Sequence, residues 1–221
     1  HSSTVGGLKH LNNAIAGFIG GGNCNAICNA TSGCLSYGAV VAGGVGNNTT
    51  GGTWTLASCA FTVAPTICNA GQFTFIGGGF QNLAKSCYTT IGGGSLNTAS
   101  SFYATIGGGV SNLASCGQSF VGGGQLNTAS NYWTSVSGGR SNTASAFYSS
   151  VGAGKCHTAS GQRSTIGGGS RNLASGDSST ISGGYSNTTS AIYSTISGGY
   201  KNTSSGNYSS ILGGLCNASS A

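Results

Sequence analysis

The feature that most constrains the fold is a 15-residue period that runs without an insertion from position 73 to position 221. An aliphatic residue followed by a Gly-rich triplet recurs at Ile76, Ile91, Ile106, Val121, Val136, Val151, Ile166, Ile181, Ile196 and Ile211. Equal intervals of this kind are typical of repeat proteins, in which each unit packs only against its neighbours. The spacing therefore predicts a stack of equivalent coils.

Two columns of the aligned repeats predict corners of the coil. The third residue after the aliphatic position is Gly in all ten repeats, which predicts positive φ or a contact too close for a Cβ. The sixth residue is Asn in nine repeats and His157 in the other. Asn tolerates left-handed turns and can bond identical side chains in neighbouring coils, which predicts a second corner and a ladder. The predicted ladder comprises Asn82, Asn97, Asn112, Asn127, Asn142, Asn172, Asn187, Asn202 and Asn217.

The remaining columns predict strands. The residues before each aliphatic position are β-branched or aromatic, as in residues 193–196, which is typical of a short strand with alternating faces. Small residues such as Ala84 and Ala99 follow the Asn column and indicate a narrow interior. We predict an all-β fold: a parallel β-solenoid or β-roll with 15-residue coils, two short strands and two turns per coil, in a single elongated domain. The high Gly content and the lack of a 3.6-residue period exclude a helical repeat.

A stretch at residues 159–184, "ASGQRSTIGGGSRNLASGDSSTISGG", resembles the head repeats of trimeric autotransporter adhesins of the YadA-like class. Similar repeats occur in fibre proteins of viruses. The resemblance covers residues 73–221 and implies a left-handed parallel β-roll, often trimeric, that is displayed outside a cell or virion for attachment. The period of 15 and the abundance of Gly and Asn depart from the pattern of that family.

Residues 1–72 are less regular than the rest. The segments "FIGGGNCNA" (18–26) and "VAGGVGNN" (41–48) are recognisable repeats, but the intervals from Ile19 to Val41 and from Val41 to Ile76 are 22 and 35 rather than 15. These intervals require insertions. We therefore predict irregular, cysteine-containing N-terminal coils over residues 1–72 and a regular array of ten coils over residues 73–221.

Five of the nine cysteines lie in the irregular part, and in an extracellular chain they are candidates for disulfide bonds. These candidates are Cys24, Cys28, Cys34, Cys59 and Cys68. Cys156 and Cys216 lie four coils apart, about 19 Å at strand spacing, which is beyond disulfide reach. An odd total leaves at least one cysteine without a partner in the same chain. Zinc binding by Cys24 and Cys28 is the alternative, but no second ligand pair stands at a suitable interval, so no metal site is predicted.

The composition argues against catalysis. Charged residues make up 4% of the chain, and Asp177 is its one carboxylate side chain, whereas hydrolytic solenoids need paired carboxylates. We interpret His157 as a substitution in the ladder rather than as a catalytic base. The seven Lys and Arg residues give a net charge of +6 but form no basic run, which favours a solvated surface over a nucleic-acid site. We predict a non-enzymatic protein with no cofactor, no nucleic-acid partner and no membrane span.

Aromatic residues recur three positions before the aliphatic residue, and strand alternation predicts that they face outward. This aromatic column comprises Phe73, Tyr88, Tyr103, Trp133, Tyr148, Tyr193 and Tyr208. An exposed stripe of rings would pack between chains or bind sugar rings. Asn-x-Ser/Thr sequons occur at Asn47, Asn48, Asn187 and Asn202, among others, and Asn207 is the glycosylation candidate because it lies outside the ladder column.

The leading functional hypothesis is an extracellular structural protein: a secreted, cell-surface or virion-surface subunit of a self-assembling fibre or filament. The first residue is His1 rather than Met, which predicts a processed or excised chain. A second copy placed head to tail would continue the final "SSILGGLCNASSA" with "HSSTVGG" in phase, so we expect head-to-tail or lateral homo-oligomers. One alternative is an adhesin that binds a host glycan or receptor. The other is an ice-binding solenoid with a hydroxyl face that includes Thr165, Thr180 and Thr195.

Overall fold

The computed structural model describes residues 1–28, 36–55, 57–68 and 70–220. These residues form two compact units, 1–111 and 112–221. Each unit is a stack of parallel β-coils that follow the 15-residue repeat, and the described residues contain no helix. The predicted fold class, an all-β parallel solenoid, is confirmed.

Two parallel sheets build the second unit, and every strand is two residues long. The first sheet contains the strands Phe120–Val121, Ser135–Val136, Ser150–Val151, Thr165–Ile166, Thr180–Ile181, Thr195–Ile196 and Ser210–Ile211. The second sheet contains the strands Leu113–Ala114, Thr128–Ala129, Thr143–Ala144, Thr158–Ala159, Leu173–Ala174, Thr188–Thr189, Thr203–Ser204 and Ala218–Ser219. Each residue pairs with its equivalent in the next repeat, so equivalent side chains of successive coils lie directly above one another.

The core of each coil is narrow because strand alternation sends one side chain of each pair inward. In the coil that contains Val136, the side chains of Val136 and Ala144 are fully buried, while Ser135 and Thr143 are half-buried on the outside. Two polar side chains, Thr134 and Asn142, complete the interior of this coil. The aliphatic and Asn columns therefore share one core.

Three corners with positive φ close each coil of the second unit. In one coil they are Gly139 (φ 88°), Ser141 (φ 57°) and Tyr148 (φ 58°). The second corner thus lies one residue before the Asn column, and the third lies in the aromatic column. This differs from the expected two turns, because non-Gly residues hold the left-handed conformation at two corners that carry no Gly signal.

The Gly corner leaves no room for a side chain. A Cβ on Gly139 would lie 2.1 Å from the carbonyl oxygen of Gly154, whereas a Cβ on Gly138 would have nothing within 4 Å. Both reasons for Gly that the sequence offered, positive φ and close backbone approach, therefore apply at Gly139.

The first unit contains the irregular coils. Its first sheet comprises the strands Ser3–Thr4, Phe18–Ile19, Val40–Val41, Phe75–Ile76, Thr90–Ile91 and Thr105–Ile106, paired in that order. Two further parallel pairs join Leu11–Asn12 to Ala26–Ile27 and Leu83–Ala84 to Thr98–Ala99. Two antiparallel pairs join Thr49–Thr50 to Thr66–Ile67 and Thr53–Thr55 to Ala60–Val63. These antiparallel pairs depart from the solenoid pattern.

The longer insertion leaves the coil as a hairpin and then returns to it. Ile76 pairs with Val41 in register although the whole insertion separates them in sequence. Between them, the hairpin strands Thr53–Thr55 and Ala60–Val63 place Trp54 against Phe61 and Phe80, with ring centroids 5.1 and 6.1 Å apart. The hairpin therefore packs through these three rings, which lie outside the coil core.

Candidate functional site

The Asn ladder ties each coil to the next through side-chain amides. In the second unit, Nδ2 of Asn127 donates to the carbonyl of Gly123 in its own coil and to that of Gly139 in the next, both at 2.8 Å. Its Oδ1 accepts the backbone N–H of Asn142 at 3.0 Å. The same pattern recurs at Asn142, Asn172, Asn187 and Asn202. These amides bond mainly to backbone groups, and the buried side chains hold the Gly corners together.

The rest of the predicted ladder follows the same scheme. Asn112 donates to the Gly124 carbonyl and accepts from Asn127, and Asn217 donates to the Gly213 carbonyl. In the first unit, Nδ2 of Asn97 also donates to Oδ1 of Asn82 at 3.1 Å. That bond is a direct amide-to-amide contact.

The ladder of the first unit also includes three residues that the sequence analysis missed. Asn25 and Asn47 donate to Gly carbonyls in the same way, and each accepts the N–H of the next ladder residue at 3.0 Å. Both stand at the sixth position after an aliphatic residue, as the Asn column of the regular repeats does. This position could have identified them from the sequence. His10 takes the same place in the first coil, where its Nδ1 accepts the N–H of Asn25 at 3.3 Å. The residue that pairs with Ile19 is Thr4, six positions before His10, and this polar residue in the aliphatic column hid His10.

His157 substitutes for Asn in the second unit. Its Nδ1 accepts the N–H of Asn172 at 3.1 Å, as the Oδ1 of Asn would. Nε2 is buried and faces the Gly169 carbonyl without reaching hydrogen-bond geometry. Burial lowers the pKa of His157, and its contacts with the backbones of Gly169 and Asn172 oppose that shift. The neutral imidazole is therefore the form that fits the ladder.

The aromatic column lies at the third corner, where its rings stack on one another and stay about half exposed. In the first unit, Phe73, Tyr88 and Tyr103 stack with centroids 5.3 and 4.9 Å apart. In the second unit the stacked pairs are Trp133 with Tyr148 at 5.0 Å and Tyr193 with Tyr208 at 5.2 Å. Each stacked contact covers one face of each of its two rings.

A second aromatic column, which the sequence analysis did not identify, lies beside the first. Tyr132 and Phe147 stand one position before Trp133 and Tyr148, with ring centroids 5.7 Å apart. Together these four side chains form a patch on two successive coils of the second unit, and each ring is 39–54% exposed. The signal was two adjacent aromatic residues in two successive repeats. We call this patch the aromatic cluster.

The N-terminal cysteines differ in their surroundings. Cys24 and Cys68 are half-buried thiols, Cys28 is a buried thiol, and Cys59 is exposed. Cys34 lies outside the described residues. Burial raises the pKa of Cys28, and it raises that of Cys24 against the opposing charge of Lys9. A raised pKa leaves less thiolate, so Cys24 and Cys28 are poor nucleophiles. Their pairing into disulfides stays a prediction.

Asn207, the glycosylation candidate, lies in an exposed turn. Its Oδ1 accepts the backbone N–H of Ile192 at 3.2 Å. The sequons within the coil core differ, because the side chains of Asn47, Asn48, Asn187 and Asn202 are at most 1% exposed. Of these five sequons, the one at Asn207 has an asparagine side chain that solvent reaches.

Other features of the described residues add no catalytic arrangement. A cavity of about 170 Å³ in the first unit lies among Lys9, Cys24, Thr49 and Pro65. The described part of the chain contains no group of three His, Cys, Asp or Glu side chains that would hold a metal ion. It also contains no helix long and apolar enough to cross a membrane. Comparison with known proteins found no matching family model and no matching curated relative.

Proposed function

We propose that the protein is a structural subunit of an extracellular fibre and that it self-assembles through its outward aromatic side chains. The observation that carries the proposal is the aromatic cluster of Tyr132, Trp133, Phe147 and Tyr148. Contiguous exposed apolar surface of this kind is rare on monomeric soluble proteins and marks interaction sites. A second copy of the chain would bury these rings without any change in the coils. The resemblance to adhesin and viral fibre repeats supports an extracellular location.

The edges of the coils support end-to-end assembly as well. The backbone N–H of Thr203 donates to the carbonyl of Asn217 in the next coil at 2.8 Å. Because the same bonds recur in every regular coil, one coil edge is complementary to the opposite edge of any other. Stacking therefore uses the same chemistry whether the next coil belongs to the same chain or to a second copy.

Sedimentation velocity and electron microscopy over a concentration series test the proposal. The test variant combines Trp133→Gln and Tyr148→Ser, residues that already stand in this column at Gln118 and Ser178, so we expect the coil to tolerate them. We expect the unmodified chain to form larger species as its concentration rises, and the double variant to stay smaller. Tyr185→Ser, which removes a ring from a different column, is the matched control and should assemble normally.

Two outcomes would contradict the proposal. The first is an unmodified chain that stays monomeric at every concentration. The second is a double variant that assembles as the unmodified chain does. A blue shift of Trp133 fluorescence on assembly, measured in a Trp54→Phe background, would place the aromatic cluster in the contact.

The adhesin alternative receives less support from the aromatic column than the fibre hypothesis does. A sugar ring binds to the open face of an aromatic ring, but Trp133 and Tyr148 are stacked with an interplanar angle of 6°, so each covers a face of the other. The stacked contact leaves each ring fewer faces for a sugar, whereas packing between chains can use ring edges as well as faces. Binding to a glycan array that survives Trp133→Gln and Tyr148→Ser would place any glycan site elsewhere on the surface.

One observation favours the ice-binding alternative. Thr165, Thr180 and Thr195 pair in register on the outside of the first sheet, and Oγ of Ser150 donates to Oγ1 of Thr165 at 3.2 Å. The result is a regular row of hydroxyl groups at strand spacing. Thermal hysteresis of the purified chain, lost on Thr180→Tyr, is the result that this alternative requires.

A further inference from the structure

Cations that are scattered in the sequence lie together in the second unit. Arg140 and Lys155 occupy the fourth position after the aliphatic residue of successive coils, and Arg171 and Lys201 occupy the fifth position. Lys155 follows Arg140 by one repeat of 15 residues, and Arg171 follows Lys155 by 16 residues. Lys201 follows Arg171 by two repeats. The coil therefore collects on one side four of the seven cations of the chain. We call these four residues the basic strip.

Backbone pairing fixes the spacing of the basic strip. Successive parallel bridges join Arg140 to Lys155, Lys155 to Ser170, and onward through Tyr185 to Tyr200. The N–H of Arg171 donates to the Lys155 carbonyl at 2.8 Å, which locks the neighbouring column to this one. At about 4.8 Å per coil, the four coils between Arg140 and Lys201 span roughly 19 Å. The cations thus form a line in which successive charges are one, one and two coils apart.

The charges of the basic strip are open to solvent and unneutralised. All four side chains are exposed, and Asp177 is the one carboxylate side chain of the whole sequence. Asp177 lies in a different column, where its Oδ1 accepts the N–H of Gln162 at 3.1 Å. Within the described residues of the second unit, no carboxylate pairs with any of the four cations. Such a line of like charge attracts an anion that carries charges at intervals.

Tyrosine and serine side chains lie within and beside the basic strip, where they contact its cations or add hydroxyl groups. Nη1 of Arg171 donates to the hydroxyl of Tyr185 at 2.6 Å, which holds the guanidinium in place. Nζ of Lys201 lies 5.2 Å from the centroid of the Tyr200 ring. Ser141, Ser170 and Ser186 stand in the same two columns and supply hydroxyl groups between the charges.

We propose that the basic strip binds a linear anionic polysaccharide that carries sulfate or carboxylate groups. A linear polymer with anionic groups at intervals matches a line of cations, and its sugar hydroxyls match the serine hydroxyls between them. A single-stranded nucleic acid would instead need open aromatic faces on which its bases stack. Tyr185 and Tyr200 offer few, because they stack on each other at 5.2 Å with an interplanar angle of 7°, and Lys201 lies over the Tyr200 ring.

The experiment compares two variants of equal net charge. The strip variant combines Arg140→Ser, Lys155→Ser and Lys201→Ser, and Ser already stands in these columns at Ser170 and Ser186. Its matched control combines Lys9→Ser, Lys85→Ser and Arg163→Ser, which remove three cations outside the strip. Circular dichroism and melting temperature should show that both variants fold. Lys155→Arg, which keeps the charge, should bind as the unmodified chain does.

The probes are fluorescent dextran sulfate, alginate, neutral dextran and poly(dT), titrated at about 0.15 M salt. We expect dextran sulfate or alginate to bind and neutral dextran not to bind, and the two anionic probes distinguish sulfate from carboxylate as the preferred group. The strip variant should bind about tenfold more weakly or worse, with a shallower dependence of affinity on salt, because fewer counterions are released. The control variant should stay within about twofold of the unmodified chain.

Three results would overturn the proposal. Equal losses in the strip and control variants would show an effect of net charge alone. Binding of poly(dT) as tight as that of the polysaccharides would indicate a nucleic-acid site, and failure of both anionic polysaccharides to bind would leave the basic strip without this function. The readout does not depend on fibre assembly, because the same titrations can be made with the chain that carries Trp133→Gln and Tyr148→Ser.

Discussion

The irregular coils at residues 1–72 and the regular coils of the second unit bury the same ladder at different intervals along the chain. The sequence interval is 22 from Asn25 to Asn47 and 35 from Asn47 to Asn82, whereas it is 15 from Asn127 to Asn142. The Oδ1 to N distance is 3.0 Å in all three steps. A coil must therefore place its ladder residue within hydrogen-bond distance of the next one, whatever the number of residues between them.

The two regions also show where a coil accepts extra residues. In the irregular region the longer insertion follows Asn48. The side chain of Asn48 makes hydrogen bonds of the kind that a strand of the second sheet makes elsewhere. Its Nδ2 donates to the carbonyl of Ala26 at 3.1 Å, and its Oδ1 accepts the N–H of Ala84 at 3.0 Å. In the regular coils the corresponding segment contains the third corner. The side of the coil that leads to this corner is therefore the tolerant one.

The largest expected effect is at the Gly corner, which both regions share. We expect Gly139→Val and Gly44→Val each to lower the free energy of unfolding by about 3–5 kcal/mol, because left-handed φ is strained for Val and the new side chain would meet backbone. A Cβ would lie 2.1 Å from the Gly154 carbonyl oxygen at Gly139 and 2.2 Å from the Gly79 carbonyl oxygen at Gly44. Chemical denaturation measures both variants.

Gly138 is the matched control, because a Cβ there meets nothing within 4 Å and its φ is not positive. Gly138→Val should change stability by less than about 1 kcal/mol. A large loss at Gly139 with little loss at Gly44 would mean that the irregular coils do not depend on this corner, and the comparison would fail.

A smaller loss is expected from removing one rung of the ladder. Asn127→Ala and Asn25→Ala each leave a buried N–H and partly buried Gly carbonyls without their amide partner, which should cost about 2–3 kcal/mol. Thr128→Val, an outward neighbour on the second sheet, should cost less than about 0.5 kcal/mol. If Asn25→Ala costs no more than Thr128→Val, the ladder is not what holds the irregular coils.

The smallest effect concerns His157 and depends on pH. Burial lowers the pKa of His157 in the folded chain, so below the ordinary value of about 6.5 the unfolded chain binds more protons than the folded chain does. The stability is complete above about pH 6.5 and should fall as the pH drops toward the folded pKa, by at most about 1.4 kcal/mol per pH unit.

Denaturation of the His157→Asn variant between pH 5 and pH 8 checks this expectation. The substitution restores the residue of the ladder column, so we expect a curve that is flatter in acid than that of the unmodified chain. His10→Asn is the matched change in the irregular region. A curve for His157→Asn as steep in acid as that of the unmodified chain would contradict the assignment of the pH dependence to His157.

The stack and its register could be predicted because every regular repeat carries the same signals. The aliphatic position, the Gly corner at Gly139 and the buried Asn142 all follow from equal spacing. The second corner lies one residue before the Asn column to which the sequence assigned it, and the third corner was not predicted, since residues such as Leu126 and Trp133 hold positive φ although their type does not favour it. Packing against the neighbouring coils imposes that conformation.

The site was less predictable than the fold for a related reason. Arg140 and Lys155 form no basic run in the sequence and become neighbours only when the chain is wound into coils of one repeat each. His10 escaped notice because the polar residue Thr4, rather than Val5, occupies the aliphatic position of the first coil. The aromatic column was found because it repeats, but the aromatic cluster needed the stacking of Tyr132 on Phe147 to become visible.

The Asn ladder also has a consequence for biosynthesis. Nδ2 of Asn187 donates to the carbonyls of Gly183 and Gly199 at 3.0 and 3.1 Å, and Asn187 lies in a sequon. An N-linked glycan would be attached to this same nitrogen. In a compartment that glycosylates nascent chains, sugar transfer and coil closure would compete for one atom, and a coil modified first could not close. The ladder therefore makes the order of maturation matter: the coils must form before any glycosyltransferase reaches them, and Asn207 is where a sugar can be added afterwards without cost to the fold.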